Sequence, residues 1–192
     1  MQNLPRIFED GFEIGDVSKW TGTRTTVGET VAVDSFSALL GSFGLRSISS
    51  NAGPDEYAMV RQAVVGLTTV YARGYFRVNA GLPLPADNDR LNLIIYPYAC
   101  NVAIGRTAGI TQFQLRVWNA VTNSWSITNT GIIPSLNQIY CIEIAYIANQ
   151  LAQVYLNGTL IAEQNLVAVN NVVINDVYFG LAMTATAGHA LD

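Results

Sequence analysis

Aromatic and planar polar side chains alternate along the middle of this 192-residue chain in a pattern suited to binding sugars. Sugars are bound by stacking on aromatic rings, while amide and guanidinium groups hydrogen-bond to their hydroxyls. If the strands that carry them are neighbours in one sheet, eight such residues share a face: Arg73, Tyr75, Arg77, Asn92, Tyr96, Gln114, Arg116 and Trp118. The alternatives are a solvated face on which Tyr and Arg cover cross-strand neighbours, or packing between subunits.

The residues needed to hydrolyse a glycosidic bond do not occur at the required spacing. Glycosidases place two carboxylates beside the bond, one as acid and the other as nucleophile or base. Between Arg90 and Val169 the only acids are Glu143 and Glu163, and neither has a second carboxylate at strand spacing. A nucleophilic-serine motif, a glycine-rich phosphate loop and a Cys/His metal cluster are absent from the sequence too. We therefore predict that the protein is not an enzyme.

The elements that must position these side chains are strands, because nearly every segment has period two. Asn157-Gly158 fits a two-residue type I′ hairpin turn, in which both residues have positive φ. The predicted strands are Arg6–Glu13, Thr30–Asp34, Gly44–Ser49, Tyr57–Val64, Val70–Val78, Arg90–Tyr96, Thr111–Trp118, Ser124–Thr128, Ile139–Ile147, Leu151–Leu156, Thr159–Ala162 and Val177–Met183. This pattern predicts an all-β fold, a two-sheet antiparallel jelly-roll sandwich, with one domain over residues 1–192.

Four pieces of the chain carry a resemblance to a known family. They are Phe8 to Trp20, Phe36 to Ser47, Tyr140 to Tyr146 followed by Val154 to Gly158, and Val177 to Gly180 with the final Leu191-Asp192. In this order they resemble the concanavalin A-like, or laminin G-like, jelly-roll domains of bacterial and phage proteins. The resemblance covers most of the chain and implies the fold. It says little about function, because glycosidases, lyases, lectins and structural modules share this fold.

The resemblance also implies a metal site and an open edge. In the family, the acidic first-strand motif and the closing aspartate often frame a calcium ion, which implies Asp10, Glu13 and Asp192 as ligands of a structural calcium. No other cofactor is expected. Family members continue past this aspartate with another strand, so we expect either a short last strand or an open edge, which would favour association with copies of this chain or with an assembly partner. Cys100 and Cys141 are either joined in a disulfide or free and buried.

Composition narrows the functions further. Half of the residues are apolar, 12% are charged and the net charge is −4, which excludes disorder and argues against nucleic-acid binding. We find no membrane span and no signal peptide. We expect a non-catalytic module on the exterior of a larger assembly, a virion decoration or tail protein, at the virion or extracellular surface. The alternative is a lectin-like, carbohydrate-binding module of a secreted or cell-surface protein.

A degenerate glycan lyase is a third hypothesis. Lyases of similar fold combine Arg, Gln, His and Tyr to abstract a proton and stabilise a carboxylate. Gln138-Ile139-Tyr140 is similar to their Gln-Ile-His strand, but a tyrosine stands where the histidine is expected. The single histidine of the chain, His189, lies in a Gly/Ala-rich tail and is interpreted as a solvated loop residue.

Overall fold

The structure, a computed structural model, describes residues 6–50, 55–184 and 190–191. These segments contain fourteen strands: β1 (Gly22–Thr25), β2 (Thr30–Asp34), β3 (Gly44–Ser50), β4 (Asp55–Leu67), β5 (Thr69–Arg77), β6 (Arg90–Tyr96), β7 (Cys100–Thr107), β8 (Ile110–Asn119), β9 (Ser124–Asn129), β10 (Ile139–Ile147), β11 (Leu151–Leu156), β12 (Thr159–Asn165), β13 (Ile174–Thr184) and β14 (Ala190–Leu191). Within the same segments, no helix has the length and apolar character that crossing a membrane requires.

Two main sheets form the two layers of the molecule. The large sheet has the strand order β1-β4-β13-β6-β7-β8-β9, and the small sheet has the order β12-β11-β10-β5. A third sheet, β14-β3-β2, adds a short layer whose β3 contacts β13. All paired strands are antiparallel. The predicted all-β jelly-roll sandwich is confirmed.

The core lies between the large and small sheets, where alternate residues of each strand point inward. Strand β8 contributes Phe113, Leu115 and Val117, while β10 contributes Tyr140, Ile142, Ile144 and Tyr146. The rings of Tyr96 and Tyr146 meet edge to face with centroids 6.3 Å apart. Because neighbouring side chains on a strand alternate between its two faces, the polar residues between these positions lie on the outer faces of the sheets.

Sequence periodicity located most of the strands. Four match their predicted bounds: Thr30–Asp34, Arg90–Tyr96, Ile139–Ile147 and Leu151–Leu156. The Asn157-Gly158 turn is also confirmed, with φ values of 51° and 81°. The prediction missed β1 and β7, and β7 is hard to recognise because its alternation is interrupted by Ala103 and Gly105.

The predicted strand Arg6–Glu13 is wrong. Asp10 accepts hydrogen bonds from the Phe12 backbone N–H (2.9 Å) and from Trp20 Nε1 (2.8 Å). Such side-chain acceptors compete with strand pairing for the local backbone, so this segment folds into turns that pack around Trp20. The Trp20 ring contacts Phe8, Phe12 and Phe179.

Both cysteines are free, so the disulfide alternative is wrong. Cys100 is buried in the core between the sheets, where burial raises the pKa of its thiol. Cys141 is half-buried on the outer face of the small sheet, paired in register with Tyr75. The small sheet therefore separates the two sulfur atoms.

Candidate functional site

The eight predicted sugar-binding residues do not share one face. Arg73, Tyr75 and Arg77 lie on β5 of the small sheet, on its outer side. Tyr96 is fully buried in the core, so it cannot contact a ligand. Asn92, Gln114, Arg116 and Trp118 lie together on the outer face of the large sheet. The set is divided because β5 pairs with β10 in the small sheet rather than with β6.

The register of the large sheet shows which side chains are neighbours there, because directly opposite residues of antiparallel strands point to the same face. One row across the strands contains Ile127, Arg116, Asn101, Ile95, Tyr178 and Arg61. The next row contains Asn129, Gln114, Ala103, Asn92, Ala182 and Tyr57. A third contains Gln112, Gly105, Arg90, Thr184 and Asp55.

These rows form a groove, because small residues lie between larger ones. Ala182 in the second row is part of the groove and lies between the larger side chains of Asn92 and Tyr57. The groove has a volume of about 330 Å³. Its walls include Arg24, Asp55, Tyr57, Arg90, Asn92, Tyr98, Asn101, Arg116, Trp125 and Tyr178. This is a concave, polar and aromatic surface on the outside of the sandwich.

Arg116 is the most unusual side chain of the groove. It is only 7% exposed, and no carboxylate of the described residues lies within ion-pairing distance. Its Nε has no hydrogen-bond partner among them, and its guanidinium carbon lies 5.8 Å from the centroid of the Trp125 ring. Burial lowers the pKa of Arg116 to about 10, and the neighbouring charge of Arg90 adds to this effect. A buried cation without a counter-ion is costly, so the site is suited to an anion.

Two further arginines add positive charge to the same groove. Burial lowers the pKa of Arg90, while Asp55 and Tyr57 act in the opposite direction. The guanidinium of Arg24 lies 3.9 Å above the ring of Tyr57. In contrast, Arg61 at the far end of its row is paired with Asp176 at 2.7 Å. Three arginines therefore face the groove, and Asp55 is the one acidic residue in its wall among the described residues.

Amide side chains supply neutral hydrogen-bonding groups beside the arginines. Asn92 donates to the Ala182 backbone oxygen at 2.9 Å, and Gln114 donates to Asn129 Oδ1 at 2.9 Å. The side-chain oxygens of Asn92, Asn101 and Gln114 are buried without a partner among the described residues. Gln114 itself covers Gly105, where an added Cβ would collide with Gln114 Oε1. The amides are therefore held in place, with acceptor capacity left over.

Sequence reasoning missed most of this site: Arg24, Asp55, Tyr57, Arg90, Tyr98, Asn101 and Tyr178. A signal was present for Asn101, which is the one polar residue among the first six residues of β7. Tyr57 and Tyr178 gave no such signal, because β4 and β13 are far apart in sequence and become neighbours only in the folded sheet.

The three residues implied as calcium ligands are in different situations. The Asp10 carboxylate accepts two hydrogen bonds and lies 3.4 Å from Lys19 Nζ, while Glu13 accepts a hydrogen bond from the Ser42 backbone N–H. Asp192 lies outside the described residues. Among the residues that are described, no group of three His, Cys, Asp or Glu side chains is placed to hold a metal. The structural calcium stays a prediction.

Similarity to known proteins is found in structure rather than in sequence. No protein-family model matches the chain, and no curated protein matches its sequence. The cellulose induced protein Cip1 has a TM-score of 0.66 at 19% identity, over 95% of this chain and 91% of that one. The endo-β-1,4-glucuronan lyase from the fungus Trichoderma reesei has a TM-score of 0.63 at 12% identity, over 88% and 81% of the two chains. These structures are compatible with a concanavalin A-like fold.

A binding domain has a similar fold as well. The receptor-binding domain of botulinum neurotoxin D has a TM-score of 0.51 at 13% identity, over 82% of this chain and 39% of that one. Proteins with this fold therefore include binding modules and enzymes. The comparisons do not support the virion role, and they do not test the expected oligomer or location.

The prediction that the protein is not an enzyme is overturned by the likeness to the glucuronan lyase. The missing carboxylate pair excludes only the hydrolytic mechanism of glycosidases. A lyase breaks the glycosidic bond by elimination next to a carboxylate that belongs to the substrate, so it does not need such a pair. The segment Gln138-Ile139-Tyr140, which is similar to a strand of these lyases, does not place its tyrosine at the surface. Tyr140 points into the core, where it contacts Phe113 and accepts a hydrogen bond from the Ser135 backbone N–H. His189 lies outside the described residues.

Proposed function

We propose that this protein binds an acidic polysaccharide, one whose sugars carry carboxylates, in the groove of the large sheet. The observation that carries the proposal is the buried guanidinium of Arg116, which has no carboxylate partner among the described residues. A ligand carboxylate would supply the missing partner. The planar guanidinium matches a carboxylate in shape and can donate two parallel hydrogen bonds to it.

The charge of the groove differs from that of the whole protein. The chain has 10 basic and 14 acidic residues, so positive charge is not a general property of its surface. Among the described residues of the groove wall, the three arginines Arg24, Arg90 and Arg116 stand against one acidic residue, Asp55. A concave site with one sign of charge raises the local concentration of an oppositely charged ligand.

The remaining groups of the groove are those that bind sugars. The side-chain oxygens of Asn92 and Asn101 lack a hydrogen-bond partner among the described residues, and the rings of Tyr98 and Trp125 offer stacking surfaces. The glucuronan lyase, which has a similar fold, acts on an acidic polysaccharide. Together, these features favour a polymer of uronic acids over a small anion such as phosphate.

Calorimetric titration with glucuronan oligosaccharides, next to the same oligosaccharides with their carboxyl groups reduced to alcohols, tests the proposal. We expect binding of the acidic form and at least a tenfold loss on reduction, which corresponds to about 1.4 kcal/mol. Equal binding of both forms would contradict the role of Arg116. Tighter binding of a sulfated glycan of equal length would assign the groove to sulfate esters instead.

Lyase activity is a second candidate function, favoured by the two tyrosines in the groove wall. Tyr57 and Tyr178 lie in the rows that carry Arg116 and the amides. In a β-elimination, a base takes the proton next to the carboxylate, the glycosidic C–O bond breaks, and the leaving oxygen gains a proton. Arginines beside the carboxylate would stabilise the charge that develops there, and a tyrosine could transfer the protons.

Incubation with glucuronan tests this second function, because elimination leaves a carbon–carbon double bond that absorbs in the near ultraviolet. We expect the wild-type protein to form this product and Tyr57→Phe or Tyr178→Phe to lose at least a hundredfold in rate, as removal of a general base does. Tyr71→Phe, on the small sheet, is the matched control. Binding without any unsaturated product would leave the groove as a binding site only.

A further inference from the structure

Three aromatic rings form a cluster at one end of the groove. The rings of Trp118 and Trp125 meet edge to face with centroids 5.4 Å apart, and Tyr98 meets Trp118 in the same way at 6.4 Å. Tyr98 is 71% exposed, and both tryptophans are half-buried. We call these three residues the aromatic cluster. It is continuous with the charged part of the groove, because Arg116 lies over the ring of Trp125.

Core packing does not explain Tyr98. Its φ is +57°, a left-handed conformation that bulky residues rarely adopt, and most of its side chain is in solvent. Backbone strain of this kind persists where the surrounding structure holds it, and it is common at ligand sites. An exposed ring on a strained backbone gains little from burial, so its position favours contact with a ligand.

A buried asparagine holds the backbone of the cluster. The Asn170 side-chain amide donates to the backbone oxygen of Trp118 at 2.7 Å and to the backbone oxygen of Tyr98 at 3.0 Å. Its own oxygen accepts hydrogen bonds from Tyr146 and from the Val172 backbone N–H, both at 2.9 Å. Asn170 is only 2% exposed. The rings are therefore attached to a fixed frame, and little conformational entropy is lost when a ligand stacks on them.

We infer that the aromatic cluster is a stacking subsite for a second sugar of the polysaccharide, next to the sugar whose carboxylate binds Arg116. This inference rests on the proposed function. Trp118 and Arg116 are two residues apart on β8, which is about 7 Å along a strand. That spacing suits a neighbouring ring of the same chain. The cluster would thus add affinity that depends on ligand length, while Arg116 would set the requirement for a carboxylate.

A graded series of glucuronan oligosaccharides, from the disaccharide to the hexasaccharide, tests the inference. We expect wild-type affinity to increase at least fivefold once the ligand is long enough to reach the cluster. Tyr98→Ala should remove most of that increase, because it should weaken the binding of long ligands by more than the binding of the disaccharide. Tyr71→Ala, which removes a similarly exposed tyrosine from the small sheet, is the matched control.

Tryptophan fluorescence gives an independent measurement. Trp118 and Trp125 belong to the cluster, while the remaining tryptophan, Trp20, packs against Phe8 and Phe179 elsewhere. Ligands that reach the cluster should change the emission, and Trp125→Phe should reduce that change. The inference is overturned if Tyr98→Ala binds every length as the wild type does, or if long ligands leave the emission unchanged. If no oligosaccharide binds the wild type, the proposed function itself fails and the inference falls with it.

Discussion

Arg116 and Arg73 lie on the outer faces of the two opposed sheets, and their surroundings differ in every respect. Arg73 is exposed and forms contacts with three partners: Cys141 Sγ at 3.1 Å, Glu143 Oε1 at 3.3 Å and the Tyr75 hydroxyl at 2.9 Å. Its pKa is raised, with the hydrogen bond to Cys141 as the largest cause. Arg116 is buried, unpaired among the described residues, and has a lowered pKa.

The difference separates a structural arginine from a functional candidate. The small sheet satisfies its cation within the protein, so nothing is gained when a ligand approaches Arg73. The large sheet has a desolvated cation without an anion among the described residues, which is expected to lower stability, and under the proposed function a ligand supplies the missing charge. Both residues were chosen from sequence for the same reason, as arginines on a polar strand face.

Replacing each arginine in turn is the most direct test of whether Arg116 and Arg73 differ in function. Arg116→Ala should weaken binding of glucuronan oligosaccharides by about ten- to a hundredfold, because hydrogen bonds to charged groups contribute about 1.5–3 kcal/mol each. Arg73→Ala should leave the affinity unchanged. Calorimetric titration of both variants measures the difference, and equal losses would show that the two faces do not differ in function.

Loss of the Arg116 charge should weaken ligand binding but increase the stability of the fold. Arg116→Met replaces a desolvated charge with an apolar side chain and should raise the free energy of unfolding by about 1 kcal/mol, even though contact with Trp125 is lost. Arg73→Met should change it by less than about 0.5 kcal/mol. Denaturant unfolding at neutral pH gives both values. A lower stability of Arg116→Met would show that the guanidinium is satisfied inside the protein.

The pH dependence of the stability gain from Arg116→Met tests whether the pKa of Arg116 is lowered in the folded protein. Burial lowers the pKa of Arg116 to about 10 in the folded protein, so on raising the pH the folded state releases this proton before the unfolded state does. Stability increases with pH wherever the unfolded state holds more protons, so wild-type stability should rise relative to Arg116→Met above about pH 10. The gain from Arg116→Met should therefore be full at neutral pH and smaller above pH 10. A constant gain would contradict a lowered pKa.

The smallest effect is expected at the exposed rim of the groove. Arg24 is exposed and lies over Tyr57, so solvent screens its attraction for an anionic ligand. Arg24→Ala should weaken oligosaccharide binding by about two- to fourfold, in line with exposed charge pairs. Arg6→Ala removes the same charge from an exposed position paired with Glu9 and is the control. A loss as large as that of Arg116→Ala would place the main anion contact at the rim.

The positions of most strands, and the face to which most of their side chains point, follow from the sequence alone. Alternation along Thr111–Trp118 predicted that Gln114, Arg116 and Trp118 share one face, and the structure has them so. The Asn157-Gly158 turn followed from local backbone preferences. These features depend on residues close together in the chain, since side-chain period and turn geometry are local properties.

Which strands are neighbours in each sheet could be seen only in the folded structure. It placed Arg73 in one sheet and Arg116 in the other, and through the pairing of β4, β13 and β6 it brought Tyr57 and Tyr178 into the same groove as Arg116. It also left Arg116 without a counter-ion in the described part of the chain, while giving Arg73 three partners. Strand order depends on how the two whole sheets bury their apolar faces against each other. Because these contacts join residues that are far apart in the chain, they produce no repeating pattern from which the order could be predicted.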